Sequence, residues 1–396
     1  MSARTVATLV AVLWAVYGCA TPVAPIGTGA RPFGADADER ELWTRAGRER
    51  AAILERVRGY DDPALVEYLS RLAGRLVPDA ARAAGGPAPR VTVIRDPTLN
   101  AFAWPDGQLL VHTGLLAAVE SEAQLALILA REVSHVVRRH ALVAARAGRV
   151  RRAPYDGAEP LSPAGAAILG TRASLATLAA ITGYDEQAEA EADADALAII
   201  TERGWDAGHA PAVYEALGGN AAERGAIEMF LLGTPARSQA RDESLRALAA
   251  SAEAPPGGLG TSDAFETQRL RVSRENALED VRLGRFTLAR RQLDRALGGP
   301  DDPAVHVYLG ELHRLQAQRA ATPPERDAET EAAQRAYARA LSLDPARADA
   351  HRQWGLLYFQ QQDAARARAE LQEYLRLAPE AADAARIGEY VRELGR

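Results

Sequence analysis

Apolar residues recur at helical spacing along most of the chain, for example over residues 65–72 and 127–140. Two short runs, residues 91–94 and 108–113, are instead typical of strands. The Pro-Asp-Gly turn within residues 104–107 precedes the second run and predicts a β-hairpin. The pattern therefore predicts an α+β fold that is mostly helical and contains a small antiparallel sheet.

Further helices are predicted over residues 115–147, 162–182 and 185–203. The second of these is apolar enough to be taken for a membrane span. Arg172 near its middle favours a buried or interfacial helix, because a cation at the bilayer centre is costly. The proline- and glycine-rich run at residues 251–263 predicts a linker between two domains.

The chain after this linker, residues 264–396, is repetitive. Small, aromatic and proline positions recur after 34 residues, with Ala333, Tyr337, Ala340 and Pro345 followed by Ala367, Leu371, Tyr374 and Pro379. This period resembles that of tetratricopeptide repeats, in which stacked helix pairs present a concave surface to peptides or partner proteins. A generic array of helical hairpins is the alternative.

The amino terminus resembles a bacterial lipoprotein signal. Arg4 precedes an apolar run at residues 6–17 that is too short to span a bilayer, and Cys19 follows it. We predict a signal peptide over residues 1–18, lipidation of Cys19 and a flexible tether over residues 19–44. The alanine after Cys19 favours the outer membrane, facing the periplasm. An ordinary secretory signal with an incidental cysteine is the alternative.

Composition narrows the class of protein without naming a function. The 396 residues suffice for two or three domains, and 47% apolar with 25% charged residues is ordinary for globular proteins. A net charge of −6 gives no reason to expect nucleic-acid binding.

The helix predicted over residues 127–140 carries the most informative chemistry. Its Arg131, Glu132 and His135 stand where the pattern H-E-x-x-H places two zinc-binding histidines and the glutamate that activates a metal-bound water. A guanidinium has no lone pair to give to a metal. At about 4 Å from a dication the repulsion would reach roughly 8 kcal/mol at an effective dielectric of 20, which is a ceiling because the side chain can swing away.

An acidic pair on a later helix completes the candidate site. Glu189 and Asp193 are four residues apart and share a helix face. A catalytic zinc needs a third protein ligand and a group that orients a ligand histidine, which such a pair can supply. Taken alone, an acidic run on a helix is usually a solvated face.

The order of these motifs resembles the gluzincin metallopeptidase family that includes the CAAX prenyl protease, HtpX and the BepA proteins. The resemblance covers about residues 45–246, and we predict a metallopeptidase-like domain over residues 45–250. It implies that His135 and Glu189 are zinc ligands, that Glu132 is the general base and that Asp193 supports a ligand.

Three further expectations come from the same resemblance. A substrate peptide would add as a strand to the edge formed by residues 108–113. Repeats behind a secretion signal look most like the BepA branch, which acts in outer-membrane protein assembly and quality control. The family often has a Thr-His-Pro segment where this chain has residues 233–235, so a second family histidine is missing.

Three other histidines are considered as replacements for the missing ligand. His140 is five residues after His135, about 140° round a continuous helix, and is therefore predicted to point elsewhere. His112 and His209 are not placed by the sequence. A different hypothesis is that Arg131 occupies the metal's place and pairs with Glu189 or Glu132.

The sequence thus predicts a lipid-anchored envelope protein with a catalytically impaired peptidase scaffold. It would bind unfolded or assembling envelope polypeptides through its repeats and its former substrate cleft, and would need zinc only if active. One alternative is a working zinc endopeptidase with a non-standard first ligand, and another is an adaptor whose peptidase-like domain only folds. An enzyme should keep an open path to Glu132, whereas a binding scaffold can have it filled by Arg131 or by the loop at residues 150–163.

Overall fold

The computed structural model describes residues 23–146, 184–206, 208, 212, 243–250 and 261–395. Helices and one small sheet make up the first part of this chain. The elements there are α1 (Ala37–Leu54), α2 (Pro63–Arg75), α3 (Asp79–Ala83), β1 (Arg90–Ile94), β2 (Ala101–Ala103), β3 (Gln108–His112), α4 (Thr113–Ala118), α5 (Glu122–Val137), α6 (His140–Arg146) and α7 (Glu186–Glu202). The predicted α+β, mostly helical class is confirmed.

The sheet is mixed, and the prediction of an antiparallel sheet is wrong. Its order is β1-β3-β2, with β1 parallel and β2 antiparallel to β3. The predicted hairpin between β2 and β3 is present. Gly107 in its turn has φ +83°, and a Cβ there would lie 3.2 Å from the Ala88 carbonyl oxygen, so the turn requires glycine. The alternation of apolar and polar residues predicts that β1 is a strand, but it does not determine whether β1 runs parallel or antiparallel to β3.

The strand predicted to receive a substrate peptide is the central one. β3 has β1 on one side and β2 on the other, so neither of its edges is open to a further strand. The expected substrate edge at residues 108–113 is therefore wrong. The strand nearest the candidate site is β2, where the backbone N–H of Ala103 donates to Glu132.

The helix predicted over residues 115–147 is three helices. The first break, between α4 and α5, ends at Ser121. The Ser121 side chain accepts a hydrogen bond from the N–H of Gln124 and so caps the start of α5. Arg139 adopts φ +59°, a left-handed conformation that a continuous helix does not allow, and so separates α5 from α6. The helix predicted over residues 185–203 is confirmed as α7, with Asp185 as its N-cap.

Much of the predicted tether is packed against the domain. From residue 23 the chain follows the end of α5, where the N–H of Ile26 donates to the Val137 carbonyl at 2.8 Å and Ile26 is buried. Helix α1 already begins at Ala37, and Glu39 forms an ion pair with Arg139 at 2.5 Å. The described part of residues 19–44 is therefore not a free tether.

Consecutive helices form the second part of the chain. They are α8 (Asp263–Leu283), α9 (Phe286–Ala296), α10 (Pro303–Arg319), α11 (Pro323–Leu343), α12 (Ala348–Gln360), α13 (Ala364–Leu377) and α14 (Ala384–Glu393). Helices α8 and α9, α10 and α11, and α12 and α13 pack as pairs. A Cβ at Gly310 would lie 2.3 Å from the Tyr337 ring, so glycine permits the close approach of α10 and α11. This helical arrangement fits the repeat prediction.

The first of these helices also belongs to the core of the preceding domain. Phe265 and Val272 on α8 are buried in one apolar cluster with residues of α2, α5 and α7. The Thr113 hydroxyl of α4 donates to the Asn276 side chain of α8 at 2.9 Å. The two parts of the chain are thus joined by apolar and polar contacts.

We expect Phe265→Ala to lower the free energy of unfolding by about 3 to 5 kcal/mol, because it removes a buried aromatic ring and leaves a cavity. Urea denaturation followed by circular dichroism measures the loss. Leu283→Ala is the matched control, since Leu283 ends the same helix but is 40% exposed. Equal effects of the two substitutions would show that α8 does not contribute to the core of the first domain.

Several sequence predictions lie outside the described residues. They are the signal peptide with Cys19, the helix at residues 162–182, the segment at 233–235, His209 and most of the linker. Within the part of the chain that is described, no helix combines the length and the apolar character needed to cross a membrane.

Candidate functional site

Helices α5 and α7 lie side by side and bring the two candidate motifs together. Arg131, Glu132 and His135 on α5 face Glu189 and Asp193 on α7. The side-chain caps at Ser121 and Asp185 fix where each helix begins, and hence which residues face the neighbouring helix. The site therefore contains every candidate residue of the two motifs.

The guanidinium of Arg131 is at the centre of this cluster. Its Nη1 donates to Glu132 Oε1 at 2.7 Å, and its Nη2 donates to Glu189 Oε2 at 2.5 Å. Its Nε lies 3.6 Å from Asp193 Oδ1. One cation is thus shared among three carboxylates, which would otherwise repel one another in a poorly solvated site. The pairing hypothesised from the sequence is present with both glutamates.

Glu132 is closed off from solvent by its neighbours. Its residue surface is 4% exposed, and its second oxygen, Oε2, accepts the backbone N–H of Ala103 at 3.2 Å. Both carboxylate oxygens of Glu132 are therefore engaged, one by Arg131 and one by β2. A general base that activates water needs an oxygen within reach of that water.

His135 has partners on both sides of its ring. Its Nε2 lies 3.8 Å from Glu189 Oε1, while its Nδ1 lies 2.8 Å from Nδ1 of His140. The prediction that His140 points elsewhere is wrong. It assumed one continuous helix, whereas the left-handed Arg139 turns the chain back and places His140 beside His135.

The two imidazoles share one hydrogen bond, so only one of the facing nitrogens can carry a proton. Burial lowers the pKa of His140, although Glu191 lies 3.7 Å from its Nε2 and acts in the opposite direction. At neutral pH His140 is therefore an uncharged ring. His140 lies on the Nδ1 side of His135, whereas the Nε2 of His135 faces Glu189. His140 therefore orients the His135 ring and is not placed to act as a metal ligand together with Glu189.

Tyr184 covers the site from the chain segment that precedes α7. Its ring stacks on His135, with centroids 4.5 Å apart and an interplanar angle of 27°. Its backbone N–H donates to Glu189 Oε1 at 2.8 Å. Burial, together with Glu132 and Glu189, raises the pKa of the Tyr184 phenol, so it remains neutral. Tyr184 holds Glu189 in place and shields His135.

A second set of ion pairs joins the same helices one turn away. Arg138, the C-cap of α5, donates to Asp195 on α7 through Nε at 2.5 Å and Nη2 at 2.8 Å, and also donates to Glu191. The Ser134 hydroxyl donates to Asp195 at 2.6 Å. Burial raises the pKa of Asp195, but the bonds from Arg138 and Ser134 outweigh it and the net pKa is lowered. The contact between α5 and α7 thus has support independent of Arg131.

The donor set does not fit a catalytic zinc ion. His135 Nε2 and Glu189 Oε1 are 3.8 Å apart, close to the roughly 3.4 Å that two ligands at about 2.1 Å from a tetrahedral zinc would have. The third position, however, is filled by a guanidinium bonded to two carboxylates. Among the described residues no group of three His, Cys, Asp or Glu side chains could hold a metal.

His112 does not supply the missing ligand. It is buried at the end of β3, where its Nδ1 lies 2.6 Å from the Thr98 hydroxyl and 3.3 Å from Asp96. Neither partner belongs to the cleft between α5 and α7. His209 lies outside the described residues.

Comparison with known proteins identifies a family over the first part of the chain. The profile described as peptidase family M48 matches residues 67–249. The beta-barrel assembly-enhancing protease of Escherichia coli K12 is 30% identical over 168 residues, which are 40% of this chain and 33% of that protein. Mitochondrial metalloendopeptidase OMA1 of Arabidopsis thaliana is 44% identical over 50 residues, 13% of this chain and 10% of that protein.

These matches cover only part of each protein. The chain spans about a third of the length of the bacterial relative, and a tenth of the plant one. What the relatives do as whole proteins is therefore not carried over by similarity alone.

Proposed function

From the match of residues 67–249 to peptidase family M48, and from their similarity to the beta-barrel assembly-enhancing proteases, we propose that this chain binds polypeptides without cleaving them. Its peptidase-like cleft holds an arginine instead of a zinc ion. His135 and Glu189 are the zinc ligands that the resemblance implies. In this proposal they belong instead to a cluster of ion pairs and hydrogen bonds around Arg131, together with Glu132 and Asp193.

The pairing of Arg131 supports this proposal more than any other observation. Its guanidinium bonds Glu132 and Glu189, the proposed general base and the proposed ligand. A zinc ion between His135 and Glu189 would have to displace this guanidinium, break two charge-assisted hydrogen bonds and tolerate the remaining positive charge. The cluster is electrostatically satisfied without a metal.

Polypeptides would be bound at two surfaces. The helix pairs of α8–α14, which we propose are tetratricopeptide repeats, would offer one. The other is the outer edge of β2. Because residues 100 and 104 bond β3, the alternating residues Ala101 and Ala103 direct their backbone groups away from β3. The N–H of Ala103 is bonded to Glu132 there, so an added strand would have to use the groups beside it or displace this bond. A peptide could add there as a strand.

The cellular setting is proposed from the sequence and the bacterial relative. The name of that relative, beta-barrel assembly-enhancing protease, suggests assembling or unfolded envelope polypeptides as partners. The signal-like amino terminus with Cys19 suggests a lipid anchor and a periplasmic site at the outer membrane. A nucleic-acid partner is not proposed.

One observation favours a second candidate function, a zinc endopeptidase. His135 Nε2 and Glu189 Oε1 keep a separation close to that of two zinc ligands. This enzyme would require Arg131 to swing out of the cluster and a third ligand to replace it. The bonds of Arg131 oppose that rearrangement.

We expect the purified chain to suppress the aggregation of a chemically unfolded outer-membrane protein during dilution, as measured by light scattering. The suppression should be unchanged by a metal chelator and by Glu132→Gln, because neither metal nor base takes part in binding. Cleavage of the unfolded protein that needs zinc and is abolished by Glu132→Gln would establish the endopeptidase instead.

A further inference from the structure

The chain is fixed to the peptidase-like domain four residues after Cys19. The Val23 side chain packs against an apolar cluster formed by α1 and α6. The carbonyl oxygen of the next residue, Ala24, accepts a hydrogen bond from Arg139 at 3.3 Å. The attachment of the chain to the domain therefore begins close to the residue that we propose carries the lipid.

Further contacts hold the residues that follow Ala24. Ile26 is buried in a second apolar cluster, which includes Val133 of α5. The N–H of Phe33 donates to the carbonyl oxygen of Ala84 at 2.7 Å. Residues 23–36 thus lie along the ends of α3 and α5 and cannot leave the domain without breaking buried contacts.

Covalent geometry limits the distance between Cys19 and this attachment. Four residues span at most about 14 Å, even when fully extended. A domain of roughly 230 residues has a radius of gyration of about 17 Å, so its opposite side lies more than about 30 Å away. A lipid on Cys19 would therefore bring the surface around Val23 to the headgroups and keep the opposite side of the domain away from them.

The surface beside Val23 carries an exposed apolar side chain. Val143 on α6 follows two buried residues of the first cluster and is 41% exposed. Among the described residues, the other large apolar side chains with comparable exposure are Leu283 and Leu297, both in the second part of the chain. An apolar side chain on this face would contact the boundary between headgroups and acyl chains.

The charges beside this face do not oppose contact with an anionic lipid surface. Asp36 and Asp38 pair with Arg146 at 2.8 Å and 2.7 Å. Glu39 pairs with Arg139 at 2.5 Å. Since each of these carboxylates has an arginine partner, their repulsion of anionic headgroups is small beyond the first few ångströms.

We propose that the face formed by Val23 and α6 lies against the surface of the lipid bilayer that holds Cys19. Tyr184, which covers the cleft, packs against the same cluster as Val23. A cavity of about 10 Å³ is lined by Tyr184, Leu142 and Ala103 of β2. A polypeptide bound along β2 would thus be held near the lipid surface. The inference rests on the proposed function, from which it takes the lipid anchor.

The test uses the full chain, purified with its lipid and reconstituted into vesicles of phosphatidylethanolamine and phosphatidylglycerol. Val143→Cys is labelled with bimane, and Cys19, the only natural cysteine, cannot react because its sulfur is bonded to the lipid. Lipids with a nitroxide on the headgroup quench a nearby label. We expect quenching at residue 143 to be at least about threefold stronger than at a control position, because residue 143 lies within the reach of the anchor.

Leu297→Cys is the matched control. Leu297 is 43% exposed and is the C-cap of α9, which packs against α8 and α10. Equal quenching of the two labels in the lipidated chain would overturn the inference. It would leave the proposed anchor and the proposed polypeptide binding intact.

A longer connection tests whether the short chain sets the orientation. Inserting about twenty glycine and serine residues after Ala20 adds roughly 25 Å of reach. Quenching at residue 143 should then fall to the level of the control, and unchanged quenching would overturn the inference. A mass of the intact chain that shows no acyl groups would instead contradict the proposed lipid anchor itself.

Discussion

Arg131→His is expected to create a zinc site in the cleft between α5 and α7. The new histidine would share a face of α5 with His135, four residues on, and Glu189 would supply the third ligand. Zinc at a hundredfold excess over its dissociation constant should then stabilise the variant by about 2.7 kcal/mol. For a domain of this size the shift in melting temperature is roughly 5 to 11 °C, measured by differential scanning calorimetry with zinc and with a chelator.

The control for this gain is the double substitution Arg131→His with Glu189→Gln. It keeps both histidines but removes the carboxylate ligand, so the shift with zinc should largely disappear. A single variant that melts at the same temperature with zinc and with chelator would show that the cleft geometry, and not Arg131 alone, prevents metal binding.

Arg131→Met is expected to lower the free energy of unfolding by about 3 to 5 kcal/mol, because breaking a buried ion pair leaves its partners uncompensated. Three carboxylates, those of Glu132, Glu189 and Asp193, would lose their shared cation. Urea denaturation followed by circular dichroism measures the loss.

Arg45→Met is the matched control for this loss. Arg45 also pairs with a glutamate, Glu41, but both side chains are exposed, and such a pair contributes only about 0 to 1 kcal/mol. Adding Glu189→Gln to Arg131→Met should recover part of the stability, because it removes one of the three charges. If Arg131→Met and Arg45→Met have equal effects, Arg131 does not neutralise the cluster.

The sequence predicts those parts of the site that depend on local spacing. Positions four apart on a helix share a face, so the grouping of Arg131 with His135, and of Glu189 with Asp193, follows from periodicity. Opposite charges on two helices that face one cleft then pair. The hairpin at Gly107 was predictable for the same reason, because its turn chemistry is local.

The parts that depend on how the chain turns were not predictable. Nothing in the pattern of residues around Arg139 shows that this residue adopts φ +59°. A prediction that assumes a continuous helix therefore puts His140 on the wrong side of His135. A left-handed arginine is compensated here by tertiary contacts, including its ion pair with Glu39 from α1. The central position of β3 likewise depends on a parallel partner, β1, whose direction alternation does not fix.

Tyr184 was missed for a related reason. It precedes the N-cap of α7, so helical periodicity does not include it, and its stacking on His135 depends on the approach of the chain to α7. The available signal was its position next to Asp185, a capping residue, five residues before Glu189. An aromatic residue before a capped helix with a candidate ligand is worth testing as a cover for the site.

The central claim is that Arg131 takes the place of the metal, and the zinc content of the wild-type chain tests it most directly. The soluble chain without residues 1–19 should be incubated with a small molar excess of zinc, desalted and analysed by inductively coupled plasma mass spectrometry. We predict much less than one zinc per chain. About one zinc per chain, lost on Glu189→Gln, would contradict the claim and establish a metal site that tolerates Arg131.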